Sequence, residues 1–351
     1  MKNKVINSIY VFLLVVVCAC ERPPEITPDY PNVISAKGGL YILNEGNFQS
    51  GNASLDYMSF TDLVMHENAF AAKNGRSLGD VLQSITRWGD VGYLVINNSQ
   101  KIEVVDMNTL QSKYTITGFK SPRYMVVQNS NTAYVSEYYN GGVKVLDLST
   151  NQIAGTIAVP GNCEEMMLVA SKLYVTVANS RYVYIVNTNS NTLADSIKVA
   201  YGPNSLRLDK NNNLWVLSAG INNGTIIENG ALQKIDVTQD SILTSFDITP
   251  QSEHGAIKLR INAQLNALYW INKSIYQHAI NQTSLSTLPF VFSNKNAYWA
   301  LNYDSLTNEI YVGDAIDYNQ RSTINRYDVA GNLRGTFKGG IITTDFYFWY
   351  K

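Results

Sequence analysis

The sequence predicts an all-β fold, a seven-bladed β-propeller of four-stranded blades. The first observation is a set of seven aromatic residues, 40 to 54 residues apart, that each open a short apolar run: Tyr41, Tyr93, Tyr134, Tyr174, Trp215, Tyr269 and Tyr311. A second run follows each of them and ends in Asp or Asn: Asp56, Asp106, Asp147, Asn187, Asp236, Asn281 and Asp328. The second observation is that no window of about 11 to 18 residues has helical periodicity. Repeats of this length with several short strands are typical of propeller blades.

Two further runs complete each repeat. An apolar run precedes the aromatic residue, as in 122–127 (PRYMVV) and 203–208 (PNSLRL), and predicts the innermost strand of a blade. Another run follows the Asp or Asn after a turn, as in 153–159 and 194–199, and predicts the outermost strand. Turn-forming residues separate the runs, so each repeat accounts for four strands.

The two ends of the repeat region predict how the ring closes. The first repeat begins at its second strand, at residues 38–46, and no innermost strand precedes it. The last repeat is complete by Gly340, yet the alternating, aromatic segment 341–350 remains. We expect this C-terminal segment to supply the innermost strand of blade 1, because closure removes exposed sheet edges that favour aggregation.

Residues 1–19 predict a lipoprotein signal peptide. Lys2 and Lys4 give a basic start, and residues 9–17 form an apolar run. That run is too short to span a bilayer, which takes about 20 residues. It leads into Ala19 and Cys20, a pair that resembles the lipobox of bacterial lipoproteins, in which the Cys becomes the acylated N-terminus. An ordinary secretory peptide cleaved nearby is the alternative.

On this interpretation Cys20 is the lipidation site and residues 20–37 form a lipidated, flexible tether. The stretch 21–32 contains four Pro residues, which favour an extended chain. Residues 38–351 then form a single seven-bladed propeller domain.

The composition excludes several classes of protein. Apolar residues make up 45% of the chain, and charged residues make up 16%, against about 25% in ordinary soluble proteins. This balance is typical of a packed chain and not of a disordered one. Three Cys residues exclude a disulfide scaffold, and a net charge of −1 gives no basic surface for nucleic acid.

The longest loops lie on one face of the predicted ring. We call this face the loop face. On this face the second strand of each blade connects to the third, and each blade connects to the next. The longest loops of the first kind are 47–52, 221–230 and 315–322, and the longest connection between blades contains residues 66–80. Binding residues concentrate on loops held by a rigid scaffold, so we expect the ligand to bind on this face.

The loop face is rich in aromatic and amide side chains. Tyr combines a rigid apolar ring with a polar tip, and Asn both donates and accepts hydrogen bonds. These residues suit a large neutral ligand with many polar groups, such as a glycan or an amide-decorated cofactor, although any single Asn is also a common turn former. The predicted ligand-binding residues are Phe48, Asn98, Arg123, Tyr138, Tyr139, Arg181, Asn204, Asn222, Asn272, Tyr298, Asp317 and Tyr318.

The repeat resembles the YncE-like bacterial propellers. More narrowly, residues 38–58, residues 74–109 and the terminal DFYFWY resemble a surface-lipoprotein branch typical of Bacteroidetes. Members of that branch include cobalamin-capturing lipoproteins that partner TonB-dependent outer-membrane transporters. The resemblance implies a lipid-anchored protein at the cell surface that binds a corrinoid and delivers it to such a transporter. It also implies that the protein has no catalytic role or resident cofactor, and that cobalamin would be transported cargo.

Two alternatives remain open at this point. Some propeller lactonases bind a divalent cation in the central funnel, and five residues here are candidates for such a site: Glu45, Asn98, Glu164, Asn204 and Asp314. The sequence has no zinc-binding spacing and no nucleophile motif, which favours a binding protein over an enzyme. The other alternative is an envelope scaffold that uses the loop face for protein contacts.

Overall fold

The computed structural model describes residues 34–35, 37–139, 141–293 and 297–351. The predicted signal peptide, Cys20 and most of the predicted tether lie outside these residues. Within the described ranges, no helix has the length and apolar character needed to cross a bilayer.

The first four blades follow one another along the chain, each as an antiparallel sheet. Blade 1 contains β1 (Gly38–Asn44), β2 (Ser54–Ser59) and β3 (Met65–His66), and α1 (Ala69–Asn74) lies in the connection to blade 2. Blade 2 contains β4 (Leu82–Trp88), β5 (Val91–Ile96), β6 (Lys101–Asp106) and β7 (Ser112–Ile116). Blade 3 contains β8 (Pro122–Val127), β9 (Thr132–Glu137), β10 (Gly142–Asp147) and β11 (Gln152–Ile157). Blade 4 contains β12 (Cys163–Val169), β13 (Lys172–Val177), β14 (Tyr182–Asn187) and β15 (Thr192–Lys198).

The remaining strands form blades 5 to 7 and the closing strand. Blade 5 contains β16 (Pro203–Leu208), β17 (Asn213–Ser218), β20 (Gly230–Asp236) and β21 (Ser241–Ile248), and its long loop carries β18 (Ile221–Asn222) and β19 (Ile227–Glu228). Blade 6 contains β22 (Ile257–Ile261), β23 (Ala267–Asn272) and β24 (Ser274–Ala279). Blade 7 contains β25 (Tyr298–Asp304), β26 (Glu309–Asp314), β27 (Arg321–Tyr327) and β28 (Leu333–Ile341), and the chain ends with β29 (Thr343–Tyr350).

The closing strand lies where the sequence predicts it. β29 pairs antiparallel with β1, with Tyr347 opposite Tyr41, and blade 1 has the order β29, β1, β2, β3. Its innermost strand therefore comes from the C-terminal end of the chain. This pairing confirms the predicted seven-bladed, all-β fold and its closure.

The aromatic residue of each repeat builds the core, and some of these residues also bond to the neighbouring blade. All seven of these side chains are buried. The Tyr41 hydroxyl donates to the Met107 carbonyl of blade 2 at 3.0 Å, and the Tyr134 hydroxyl donates to Asn191 Oδ1 of blade 4 at 2.7 Å. Buried Tyr hydroxyls need such partners, so these bonds fix the spacing of successive blades.

In most blades the Asp or Asn at the end of the third strand forms the following turn, whereas Asp56 lies inside β2. In five blades its side-chain oxygen accepts a hydrogen bond from the backbone N–H two residues later: Asp106, Asp147, Asn187, Asp236 and Asp328. This is the Asx turn, which explains why the repeat ends in these two residue types.

Two elements differ from the regular repeat. α1 is only six residues long, too short to produce helical periodicity, and it buries Ala69 and Phe70. Within the described residues, blade 6 has three strands, and its fourth is reduced to a single bridge between Ile275 and Val291. The corresponding sequence contains Pro289 and several Ser and Thr residues instead of an apolar alternation, so it cannot continue the ladder.

Removal of a core ring from β29 tests whether ring closure stabilises the fold. Phe346 is buried against Tyr311, with ring centroids 5.8 Å apart. We expect Phe346→Ala to lower the free energy of unfolding by about 3–5 kcal/mol, because it leaves a cavity at the closing strand. Urea unfolding measures this change. Phe48→Ala, at an exposed ring, is the matched control and should change the free energy by less than about 0.5 kcal/mol.

A buried histidine makes the stability depend on pH. His278 packs against Trp215 and Phe246, and neither ring nitrogen has a hydrogen-bond partner among the described residues. Burial, assisted by the charge of Lys234, lowers the pKa of His278 from 6.5 to about 4. Between these two values the unfolded chain binds a proton that the folded protein does not bind. The stability contributed by neutral His278 is therefore present above pH 6.5 and lost as the pH falls towards 4.

We expect protonation linked to His278 to lower the free energy of unfolding by about 3 kcal/mol between neutral pH and pH 4. Urea unfolding of the protein and of His278→Leu, at neutral pH and near pH 4.5, measures the contribution. The variant should lose less stability on acidification, since the aliphatic side chain takes up no proton. An equal loss in both proteins would contradict the assignment.

Candidate functional site

Every innermost strand has a β-bulge near its first residues, at the end of the strand that lies at the loop face. The register with the second strand shifts at the same place in β29, β4, β8, β12, β16, β22 and β25. A bulge adds one residue and redirects side chains, and bulges occur often beside functional sites. The extra residues therefore form a ring around the central channel.

Most of these extra residues line a cavity of about 180 Å³ at the loop-face end of the channel. We call this cavity the mouth cavity. All seven blades contribute to its wall, and the lining residues include Glu45, Gln83, Arg123, Glu164, Asn204, Lys258 and Trp299. Thr344, the extra residue of β29, accepts a hydrogen bond from Lys258 Nζ at 3.2 Å.

A partly buried ion pair crosses one side of the mouth cavity. Arg123 donates to both oxygens of Glu164, at 2.9 Å and 3.1 Å, and also donates to Gln83 Oε1. The Arg123 guanidinium lies 5.2 Å from the centre of the Tyr138 ring. Burial raises the pKa of Glu164, although the charge of Arg123 opposes this effect.

Lys258 supplies an amine without a carboxylate partner. It makes no ion pair with any residue that the structure describes, and burial lowers its pKa. Its ammonium group therefore has hydrogens available to a ligand in the mouth cavity.

Aromatic side chains form the rim above the mouth cavity. Trp299 Nε1 donates to Glu45 Oε1 at 3.0 Å, and the Trp299 ring contacts His254 and Tyr318 edge-on, with centroids 4.9 Å and 5.7 Å away. Farther out, Phe48 is 64% exposed and Tyr139 is 69% exposed. Exposed rings around a polar cavity are typical of a binding surface.

The structure brings several of the predicted binding residues together. Arg123 and Asn204 line the mouth cavity, and Tyr138 covers Arg123. Tyr318 contacts Trp299, and its carbonyl accepts a hydrogen bond from Asn47 at 3.0 Å. Together with the exposed rings of Phe48 and Tyr139, these residues form the candidate site.

The predicted asparagines mostly build the loops. The side-chain amide of Asn98 donates to Asp80, that of Asn222 to the Pro250 carbonyl, and that of Asn272 to the Thr249 carbonyl. The Asn204 amide likewise donates to the Ala256 carbonyl at 2.9 Å. Their donors are already used within the protein, which favours the turn-forming interpretation of these residues.

Three other predicted residues also have structural partners. Arg181 forms an ion pair with Glu228 at 2.6 Å and lies over the Tyr201 ring. Asp317 caps its own loop, and hydrogen bonds from Gln320 and the neighbouring backbone lower its pKa to about 2. Tyr298 is only 7% exposed and lies in the core, so this position does not support a direct ligand contact.

Three residues of the mouth cavity that were not predicted, Gln83, Lys258 and Trp299, share one position in the repeat. Each is the second residue of its innermost strand, like Arg123 and Asn204. That shared position within the repeat is the pattern that could have identified them.

The candidates for a hydrolytic cation site converge only in part. Glu45, Glu164 and Asn204 line the mouth cavity, whereas Asn98 and Asp314 are not among its lining residues. Arg123 already neutralises Glu164, and Lys258 adds a positive charge beside it. In the part of the chain that the structure describes, no three or more His, Cys, Asp or Glu side chains are grouped to hold a metal ion.

Comparison with known proteins establishes the family. The model of the family described as Domain of unknown function (DUF5074) matches residues 38–350, so the chain belongs to this family. No curated protein matches the chain significantly.

Similar solved structures share the fold at low sequence identity. A quinonprotein alcohol dehydrogenase-like protein from Bacteroides thetaiotaomicron is 15% identical, with a TM-score of 0.67 over 89% of this chain and 78% of that one. A protein from Lactobacillus plantarum is also 15% identical, with a TM-score of 0.66 over 89% of this chain and 99% of that one. At this identity the likeness supports the propeller fold alone.

The mouth-cavity ion pair can be tested through stability. We expect Arg123→Met to lower the free energy of unfolding by about 3–5 kcal/mol, because it leaves the Glu164 carboxylate buried without its partner. The double variant Arg123→Met with Glu164→Gln should recover much of this loss. Urea unfolding measures both effects. Arg334→Met, which breaks the more exposed pair with Asp328, is the control and should cost about 1 kcal/mol or less.

Proposed function

We propose that this member of the DUF5074 family is a binding protein, not an enzyme, that captures a bulky corrinoid nutrient on its loop face. The observation that carries the proposal is the mouth cavity, to which all seven blades contribute side chains beneath a rim of aromatic rings. The resemblance to cobalamin-capturing surface lipoproteins supplies the ligand class.

The dimensions of the site favour a ligand that rests on the rim. A cavity of about 180 Å³ is smaller than an ordinary small-molecule pocket, which holds roughly 300–1,000 Å³. A bulky ligand would therefore lie across the exposed rings of Phe48 and Tyr139 and insert one polar arm into the channel. An amide arm of a corrinoid has the required size and polarity.

The chemistry of the mouth also favours binding over catalysis. Lys258 offers hydrogen-bond donors and Glu45 offers an acceptor, a combination that suits an amide group.

Cys163 is buried at the start of β12, and burial raises the pKa of its thiol to about 12. The thiol stays protonated at neutral pH, so it is a poor nucleophile.

The position of the chain ends supports delivery from an anchored protein. β1 begins at Gly38, opposite Tyr350 at the end of β29, on the face remote from the mouth cavity. The chain enters β1 at this opposite face. The loop face is then free to meet a TonB-dependent transporter in the outer membrane, to which we propose the ligand is passed.

Titration of the full-length protein with cyanocobalamin tests the proposal. We expect saturable binding by calorimetry and by the absorption spectrum, with the ligand recovered unchanged. Phe48→Ala and Tyr139→Ala should each weaken binding by about tenfold, since exposed aromatic anchors contribute most to such contacts. Tyr114→Ala, at a ring that is 46% exposed on an outer strand, is the matched control and should bind normally.

Two outcomes would contradict the proposal. The corrinoid assignment fails if cyanocobalamin produces neither heat nor a spectral change. The binding-protein assignment fails if the protein hydrolyses lactones and loses that activity to a chelator.

A further inference from the structure

A second cavity, of about 290 Å³, lies deeper in the channel, on the side away from the loop face; we call it the lower cavity. The innermost strands of all seven blades line it, and Tyr124 lines both this cavity and the mouth cavity. Four charged residues stand in its wall: Glu165, Arg207, Arg260 and Asp345.

The oxygens of the two carboxylates already accept hydrogen bonds from the protein. Glu165 Oε2 accepts from Arg207 at 2.7 Å and from the Leu206 backbone N–H at 3.2 Å, while Oε1 accepts from Arg260 at 3.4 Å. Asp345 Oδ2 accepts from Arg260 at 2.9 Å, and Oδ1 accepts from Asn302 at 3.2 Å. The carboxylates therefore leave little capacity for a donor-rich ligand.

The guanidinium groups, by contrast, keep unused donors. Arg260 is only 4% exposed, and its Nε has no hydrogen-bond partner among the described residues. Arg207 bonds only through Nη1, so its Nε and Nη2 have no protein partner within the described ranges.

We propose that the lower cavity is a separate binding site for a small oxyanion, either a carboxylate or a phosphate-type anion. Guanidinium edges bind the oxygens of such anions with paired, charge-assisted hydrogen bonds. The unused Nε and Nη2 donors belong to Arg207, a residue of the cavity wall, and the nearby carboxylates hold the Arg207 and Arg260 side chains in position. The site does not depend on the proposed corrinoid site, since residues other than those of the mouth cavity, Tyr124 apart, form it at another depth in the channel.

Calorimetric titration of the full-length protein with acetate, succinate and inorganic phosphate tests this site. We expect at least one anion to bind saturably, and the comparison separates carboxylate from phosphate chemistry. Arg207→Gln should weaken that binding by tenfold or more, while Glu165 keeps Arg260 as its partner. Arg207→Lys keeps the charge but loses the fork of donors, and should bind with intermediate affinity.

Arg326→Gln is the matched control, because Arg326 is also ion-paired, with Glu309, but lies outside the channel wall. It should bind the anion normally. The proposal is overturned if none of the three anions binds, or if Arg207→Gln and Arg207→Lys, shown to be folded by circular dichroism, bind as well as the unchanged protein. Cyanocobalamin titration of Arg207→Gln should match that of the unchanged protein, so failure of one site is distinguishable from failure of the other.

Discussion

The pairing of β29 with β1 is the interaction on which the rest of the structure depends. It joins the two ends of the propeller in one sheet, with Tyr347 opposite Tyr41. The same strand carries Thr344 and Asp345 into the channel, where they meet Lys258 and Arg260 from blade 6. Ring closure and assembly of the channel wall are therefore consequences of one strand pairing.

The sevenfold β-bulge converts a structural repeat into a varied chemical surface. Each blade presents its extra residues at the same height in the channel, but the side chains differ from blade to blade. An amide, a guanidinium, a carboxylate, an amine and an indole thus meet around one axis. The blades repeat because the strands of each blade pack the same kind of apolar core. The channel residues do not take part in that packing, so their side chains can differ from blade to blade.

The repeat made the blades and their closure predictable, because each strand had to show an apolar face at a regular spacing. The residues of the candidate site were harder to predict, since a bulge changes which of two successive residues faces the channel. Tyr298 and Trp299 illustrate this: the sequence favoured the first, but the bulge in β25 places the second in the mouth cavity and leaves the first in the core. The Asn side chains were ambiguous for another reason, because turn formation and ligand binding use the same amide.

The distribution of charge supports the proposal that the channel binds ligands. Charged residues make up only 16% of the chain, yet eight of them line the two channel cavities: Glu45, Arg123, Glu164, Glu165, Arg207, Lys258, Arg260 and Asp345. Buried ion pairs stabilise a fold no better than well-packed apolar side chains of similar volume, because desolvation offsets their attraction. A channel lined by apolar side chains would therefore make the fold equally stable. A channel that keeps charges, unused guanidinium donors and an amine without a carboxylate partner is better explained by ligands that supply the missing acceptors.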